Sequence, residues 1–165
     1  MKRHSSAAGF ALGVLTLMVF AAPVAARDQV PFKGELELDR GIVTPLTPPV
    51  VSVEIEGTGN ATQLGQFTVS VPHLVERSTG MLVGSYEFTA ANGDTLTADF
   101  VGHAMPSDVP GVLYVVEIAT ITGGTGRFAD ATGSFTTERL VDTTTGTVVG
   151  SFEGTISSRR GASKR

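Results

Sequence analysis

Along much of the chain apolar residues recur at every second position. Val51, Val53 and Ile55 alternate with Ser52, Glu54 and Glu56, and Phe67, Val69 and Val71 alternate with Gln66, Thr68 and Ser70. Leu96, Ala98 and Phe100 alternate in the same way with Thr95, Thr97 and Asp99. A period of two sends successive side chains to opposite faces of a strand, so each run predicts a strand with two different faces. No segment carries the 3.6-residue period of an amphipathic helix. The pattern predicts strands over 33–38, 50–56, 64–71, 82–90, 95–104, 112–121, 133–141 and 147–157. His73 to Arg77 extends the third of these past Pro72, which has no N–H to give a ladder.

The connections read as turns. Ser78-Thr-Gly80, Asn92-Gly-Asp94 and Thr143-Thr-Thr-Gly146 each join two strand runs, and Asn92-Gly93 accepts the positive φ that tight hairpins require. Met105 to Gly111 reads as a longer loop, and Gly41 to Pro49, with three prolines, as an extended lead-in. Short connections make neighbouring strands antiparallel. Eight such strands without a helix suggest a barrel or a sandwich, and a barrel leaves no open edge. The expected fold is all-β, a single eight-stranded antiparallel barrel.

The N-terminus changes the domain picture. Lys2, Arg3 and His4 precede the apolar run Ala11 to Ala22, and Val24-Ala-Ala26 supplies small residues for cleavage, the pattern of an export signal. The expected organisation is a signal peptide at 1–26, an N-terminal extension with the first strand at 27–48, the barrel at 49–158 and a basic tail at 159–165. The implied location is periplasmic or extracellular, with no membrane span after cleavage. The chain has no cysteine, so neither disulfides nor thiol chemistry contribute. Without Lys2 and Arg3 the balance is 10 basic against 16 acidic residues, which argues against a nucleic-acid partner.

One stretch poses a choice. Gly124-Thr-Gly126-Arg-Phe-Ala129 follows an apolar run and matches a dinucleotide-binding fingerprint, G-x-G-x-x-A. Such a site needs a helix to open at the glycines. Here the chain continues as Ala129-Asp-Ala-Thr-Gly133 and then the threonine-rich Ser134 to Val141, a strand pattern. The stretch therefore reads as a turn, with Gly123, Gly124, Gly126 and Gly133 giving the backbone its freedom and Phe128 plugging the barrel end. The same residues, Gly123-Gly-Thr-Gly-Arg-Phe-Ala-Asp-Ala-Thr-Gly133, resemble the G-G-T-G-x-F-x-x-A-x-G signature of plant dirigent proteins and allene oxide cyclases. Gly57-Thr-Gly59, Leu64-Gly-Gln-Phe67 and Gly150-Ser-Phe-Glu-Gly154 extend the resemblance to secreted bacterial members over roughly residues 50 to 157. It implies an eight-stranded barrel with a largely apolar lumen, often trimeric in the plant families. Plant dirigents carry an arginine before the last glycine of the signature; Thr132 stands there in this chain.

Candidate chemistry lies on the alternating faces. Glu117 interrupts Val112 to Ile121 and shares a face with Leu113, Val115, Ala119 and Ile121. If that face lines the lumen, Glu117 is a candidate general acid in an apolar pocket. If Tyr114, Val116 and Ile118 point inward instead, it is a solvated charge. Tyr86, Phe88, Phe100 and Arg139 are the candidate ligand contacts, with core packing the plainer reading of Tyr86 and a surface charge the plainer reading of Arg139. His73 and His103 share no metal-ligand spacing, so no metal is expected, and nothing calls for a cofactor.

Three functions compete. The lumen of an eight-stranded barrel holds either side chains or one small ligand. A small apolar ligand in the lumen makes the chain a binding protein. A reactive ligand makes it a cyclase or isomerase, as the resemblance implies. A filled lumen leaves a structural or interaction role.

Overall fold

The computed structural model describes residues 28–157. The expected signal peptide and basic tail lie outside the described residues. The chain forms β1 (Val30–Leu38), β2 (Ile42–Pro45), β3 (Val50–Glu54), β4 (Glu56–Ala61), β5 (Gly65–Ser70) and β6 (His73–Glu76). It continues through β7 (Met81–Ala90), β8 (Thr95–Pro106), β9 (Val112–Gly124), β10 (Thr132–Asp142) and β11 (Val148–Ser157). One 3₁₀ turn, Gly126–Phe128, sits between β9 and β10.

Eight strands close a ring in the order β1, β4, β5, β7, β8, β9, β10, β11, every pairing antiparallel. The all-β barrel expected from the sequence is the fold. Seven of the eight expected strands are its staves. The expected strand at 50–56 is instead β3, and the ring is completed by β4, where Gly57 and Gly59 blur the alternation. β1 is a full stave, paired to β11 on one side and β4 on the other, so the barrel starts well before residue 49.

At one end β7 changes its pairing partner. β7 pairs with β5 through Phe88 and Ala90 but with β6 through Leu82 and Gly84, because the chain breaks at Val71-Pro72. β3 pairs with β6, and β2 with β3, giving a flap of three short strands beyond the ring. The Gly41 to Pro49 lead-in thus contains a strand, followed by a cis Pro48-Pro49 bond.

The lumen is filled at one end and spacious at the other. Phe32, Phe67, Phe88, Phe135 and Phe152 form a buried aromatic cluster, with Phe67 and Phe88 edge to face at 5.2 Å. Each such pair contributes about 0.5–1.5 kcal/mol beyond area burial. Four of these rings lie across a glycine on a neighbouring strand: Phe152 over Gly34, Phe67 over Gly59, and Phe32 and Phe135 on either side of Gly154. The missing side chain leaves room for the ring to turn into the lumen.

The glycine-rich stretch is a turn, as its strand-like sequel predicts. Gly126 has φ 55°, and a Cβ there would lie 1.8 Å from the Asp94 carboxylate. Phe128 is fully buried and closes this end of the barrel, with the Arg127 guanidinium 4.8 Å above its ring.

Candidate functional site

At the opposite end the flap and the lower staves enclose a cavity of about 840 Å³. Its wall is apolar: Val51 and Val53 from β3, Val75 from β6, Leu82 from β7, Val115 from β9 and Val141 from β10. Two polar side chains enter that wall from inside the barrel, His73 and Arg139, while Arg40, Arg77 and His103 stand among the rim residues. The volume lies within the range of about 300–1,000 Å³ usual for small-molecule sites.

Beneath the cavity three polar side chains form one unit. Arg139 on β10 donates through Nη2 to Glu117 Oε1, and the Tyr86 hydroxyl donates to Glu117 Oε2. Glu117 is 0% exposed and Arg139 3%. Alternation alone left open which face of β9 turns inward; the register answers it. Ala119 and Val115 are buried with Glu117, whereas Ile118 is 62% exposed. Ile118 continues an outer row of apolar residues, Leu74, Val83, Val101 and Ile118, matched strand to strand. Each carboxylate oxygen of Glu117 thus accepts a hydrogen bond, one from Arg139 and one from Tyr86.

Burial raises the Tyr86 hydroxyl far above its ordinary pKa, which the nearby Arg139 charge only partly opposes. The phenol is therefore a permanent donor to Glu117. His73 is shifted the other way. Burial lowers its pKa below 6.5, a hydrogen bond to the Val71 carbonyl raises it, Arg139 lowers it and Glu117 raises it. Its Nδ1 lies 2.9 Å from that carbonyl oxygen, so Nδ1 carries the proton and Nε2 is the basic nitrogen.

These three lumen groups share a feature that the sequence pattern did not single out. His73 lies across from Gly84, Glu117 from Gly102 and Arg139 from Gly150. A Cβ at those glycines would come within 2.4 Å of His73 Cβ, 2.6 Å of Glu117 Cγ and 2.7 Å of Arg139 Cγ. The glycines at 84, 102 and 150 are the room in which the polar cluster fits. The usable sequence signal is a glycine at an inward position of a strand beside one with an inward charge.

The other candidates divide. Phe88 and Phe100 are buried in the packed half with Tyr86, whose ring is 5.4 Å from Phe88 and 4.9 Å from Phe100; none of the three lines the cavity. Arg139 both lines it and holds Glu117. His73, weighed from the sequence only as a metal ligand, lines it too. His103 stands at the rim, with Nε2 2.8 Å from the Thr79 carbonyl oxygen. Among the described residues no three His, Asp or Glu side chains gather as a metal cluster.

A larger, shallower hollow of about 1170 Å³ lies over the outer faces of β1, β4, β5 and β10. Glu35, Glu37, Asn60, Gln66 and Glu138 line it, side chains typical of a solvated sheet face. The inner cavity is the better candidate, because it joins an apolar wall to buried polar groups.

No protein-family model matches the sequence, and no curated protein matches it significantly. Among solved structures the chain is similar to a pterocarpan synthase dirigent protein, with a TM-score of 0.54. The match covers 85% of this chain and 91% of that one at 15% identity. At that identity the likeness establishes the fold: this is a dirigent-like barrel, as the glycine signature implied.

Proposed function

We propose that the chain is a binding protein that holds one small, largely apolar molecule in the open half of its barrel. The observation that carries the reading is the cavity of about 840 Å³, whose valine and leucine wall ends on a buried polar floor. Apolar surface removed from water contributes about 25 cal/mol per Å², so this wall supplies affinity for any apolar body that fits. The aromatic cluster fixes the depth to which a ligand enters. The export pattern of the first 26 residues supports a site of binding outside the cytoplasm.

A neutral apolar fluorophore, N-phenyl-1-naphthylamine, tests the reading. Its emission is expected to rise and saturate at one molecule per barrel. Val75→Trp, which fills the cavity, is expected to abolish the rise while leaving the circular dichroism spectrum intact. Emission that climbs without saturation, or is indifferent to Val75→Trp, contradicts the proposal.

A second reading, a cofactor-independent isomerase, is favoured by His73. Its proton is fixed on Nδ1 and its unprotonated Nε2 belongs to a ring that lines the cavity, the disposition of a general base. The resemblance to a pterocarpan synthase dirigent protein is compatible with it, but fold does not set activity. Turnover of a cavity-bound molecule that disappears in His73→Gln, with affinity retained, separates the enzyme from the binder.

A further inference from the structure

Resting on the binding reading, we infer that the molecule held in the cavity is an amphiphile, with its apolar body inside the barrel and one anionic headgroup at the rim, where Arg40 and Arg77 meet its charge. The distribution of charge carries this. The chain has 16 Asp and Glu residues, all within residues 28–157, where the basic residues are Lys33, Arg40, Arg77, Arg127 and Arg139. Arg40, Arg77 and Arg139 line the cavity, whereas Asp142 is the one acid among the described lining residues. An acidic barrel thus turns most of its positive charge towards one concave site.

Pairing sets Arg40 and Arg77 apart. Lys33 pairs with Glu153, Arg127 with Asp94 and Arg139 with Glu117, but neither rim arginine has a carboxylate within ion-pair distance among the described residues. Arg40 is nevertheless held in place. Its Nε donates to the Thr145 carbonyl at 3.2 Å and its Nη2 to the Thr144 carbonyl at 3.0 Å. It also packs against Gly146, where a Cβ would lie 2.6 Å from its Nε. Neutral carbonyls orient the guanidinium without cancelling its charge, and these two bonds do not use all of its N–H donors. Asp142 is committed to the same turn, because its Oδ1 accepts from the Thr144 and Thr145 N–H groups at 2.8 and 3.1 Å. Two cations beside one committed anion leave the rim with a positive charge for the ligand to meet.

The headgroup belongs at the rim and not at the floor. Glu117 already answers Arg139 there, and an ion carried fully out of water pays a large desolvation cost. Arg40 and Arg77 are exposed, so a headgroup beside them keeps part of its hydration while gaining charge-assisted contacts. The low-dielectric wall behind them concentrates their field at the mouth.

Two dyes with one skeleton provide the test: the neutral N-phenyl-1-naphthylamine and its 8-sulfonate, 1-anilinonaphthalene-8-sulfonate, each titrated into the protein at low salt. The sulfonate is expected to saturate at one molecule per barrel and to bind about fivefold more tightly, the gain from an ion pair at the upper end of surface values. Raising the salt from about 0.01 to about 1 M shortens the Debye length from about 30 to about 3 Å and is expected to erase that preference, a readout that needs no variant. Arg40→Gln with Arg77→Gln is expected to erase it at low salt. If the neutral dye saturates and the sulfonate binds no more tightly, the headgroup inference fails while the binding reading stands. If the sulfonate is preferred but neither salt nor the paired substitution changes the preference, the anion is held elsewhere and the inference fails. If neither dye saturates, the binding reading itself fails and the inference with it.

Discussion

Glu117 and Arg139 meet on a diagonal. In the ladder Glu117 faces Thr137 and Arg139 faces Val115, so the ion pair spans two residues of offset between β9 and β10. Diagonal neighbours lie about 7–8 Å apart, within reach of a long side chain. The offset leaves the stem of Arg139 across Gly150 and carries its head back along the barrel to Glu117, under the cavity. The pair is fully desolvated, and this sets its energetics.

Removing one partner of a buried pair strands the other charge, at a cost of about 3–5 kcal/mol, whereas replacing both with apolar residues of similar volume is often neutral. Arg139→Met is therefore expected to lower unfolding stability by about that amount. Glu117→Leu with Arg139→Met is expected to recover most of it. Urea unfolding of the two variants beside the parent chain measures both effects, and additive losses would contradict the pairing.

The glycines opposite the cluster make a separate expectation. At Gly84 a Cβ would lie 2.4 Å from the Pro72 carbonyl oxygen and from His73 Cβ, and backbone cannot yield as a flexible side-chain end can. Gly84→Ala is expected to cost about 1–3 kcal/mol through overpacking. Gly93→Ala meets no atom within 4 Å, so any loss there comes only from its φ of 84°. Comparing the two melting temperatures distinguishes crowding from backbone strain.

His73 gives the barrel an acid sensitivity whose direction is fixed. Its folded pKa is below the ordinary 6.5, so the unfolded chain takes up a proton first as the pH falls. The stability that the neutral imidazole contributes is present above pH 6.5 and is lost as pH falls through the interval below it. A melting temperature that declines as the pH falls below 6.5 is the expected result. His73→Gln is expected to flatten that decline, and an unchanged slope would remove His73 as its cause.

Phe128 tests whether the two ends of the lumen are independent. It is fully buried at the end opposite the cavity. Phe128→Ala is expected to cost about 3–5 kcal/mol of stability, the usual penalty for emptying an aromatic site. At a temperature where the variant remains folded, its affinity for N-phenyl-1-naphthylamine is expected to match that of the parent chain. A parallel loss of affinity would show that the plug shapes the site.

The period of two made the strands and the turns readable, because alternation and positive-φ glycines are local signals. The glycine signature pointed further, to the closed ring. The break at Val71-Pro72 and the stave at 56–61 were harder. Gly57 and Gly59 have no side chains to show an inward face, and the break at Val71-Pro72 depends on how β5, β6 and β8 share one long β7. The inward face of β9 was also not decidable locally, since Leu113, Val115 and Glu117 read as plausibly in as Tyr114, Val116 and Ile118. What placed Glu117 inside was its company: Arg139, Tyr86 and an opposing glycine, each from a different strand. The division of the lumen into a packed and an open half is likewise a property of register, because the phenylalanines gather only once Phe32, Phe67, Phe88, Phe135 and Phe152 are aligned.

The most direct test is a naphthalene titration of the methyl-labelled protein followed by NMR. The lumen account predicts saturable shifts of Val75, Leu82, Val115 and Val141, with the outer row of Leu74, Val83, Val101 and Ile118 unmoved. Shifts confined to that outer row, or shifts that never saturate, would contradict a binding site inside the barrel.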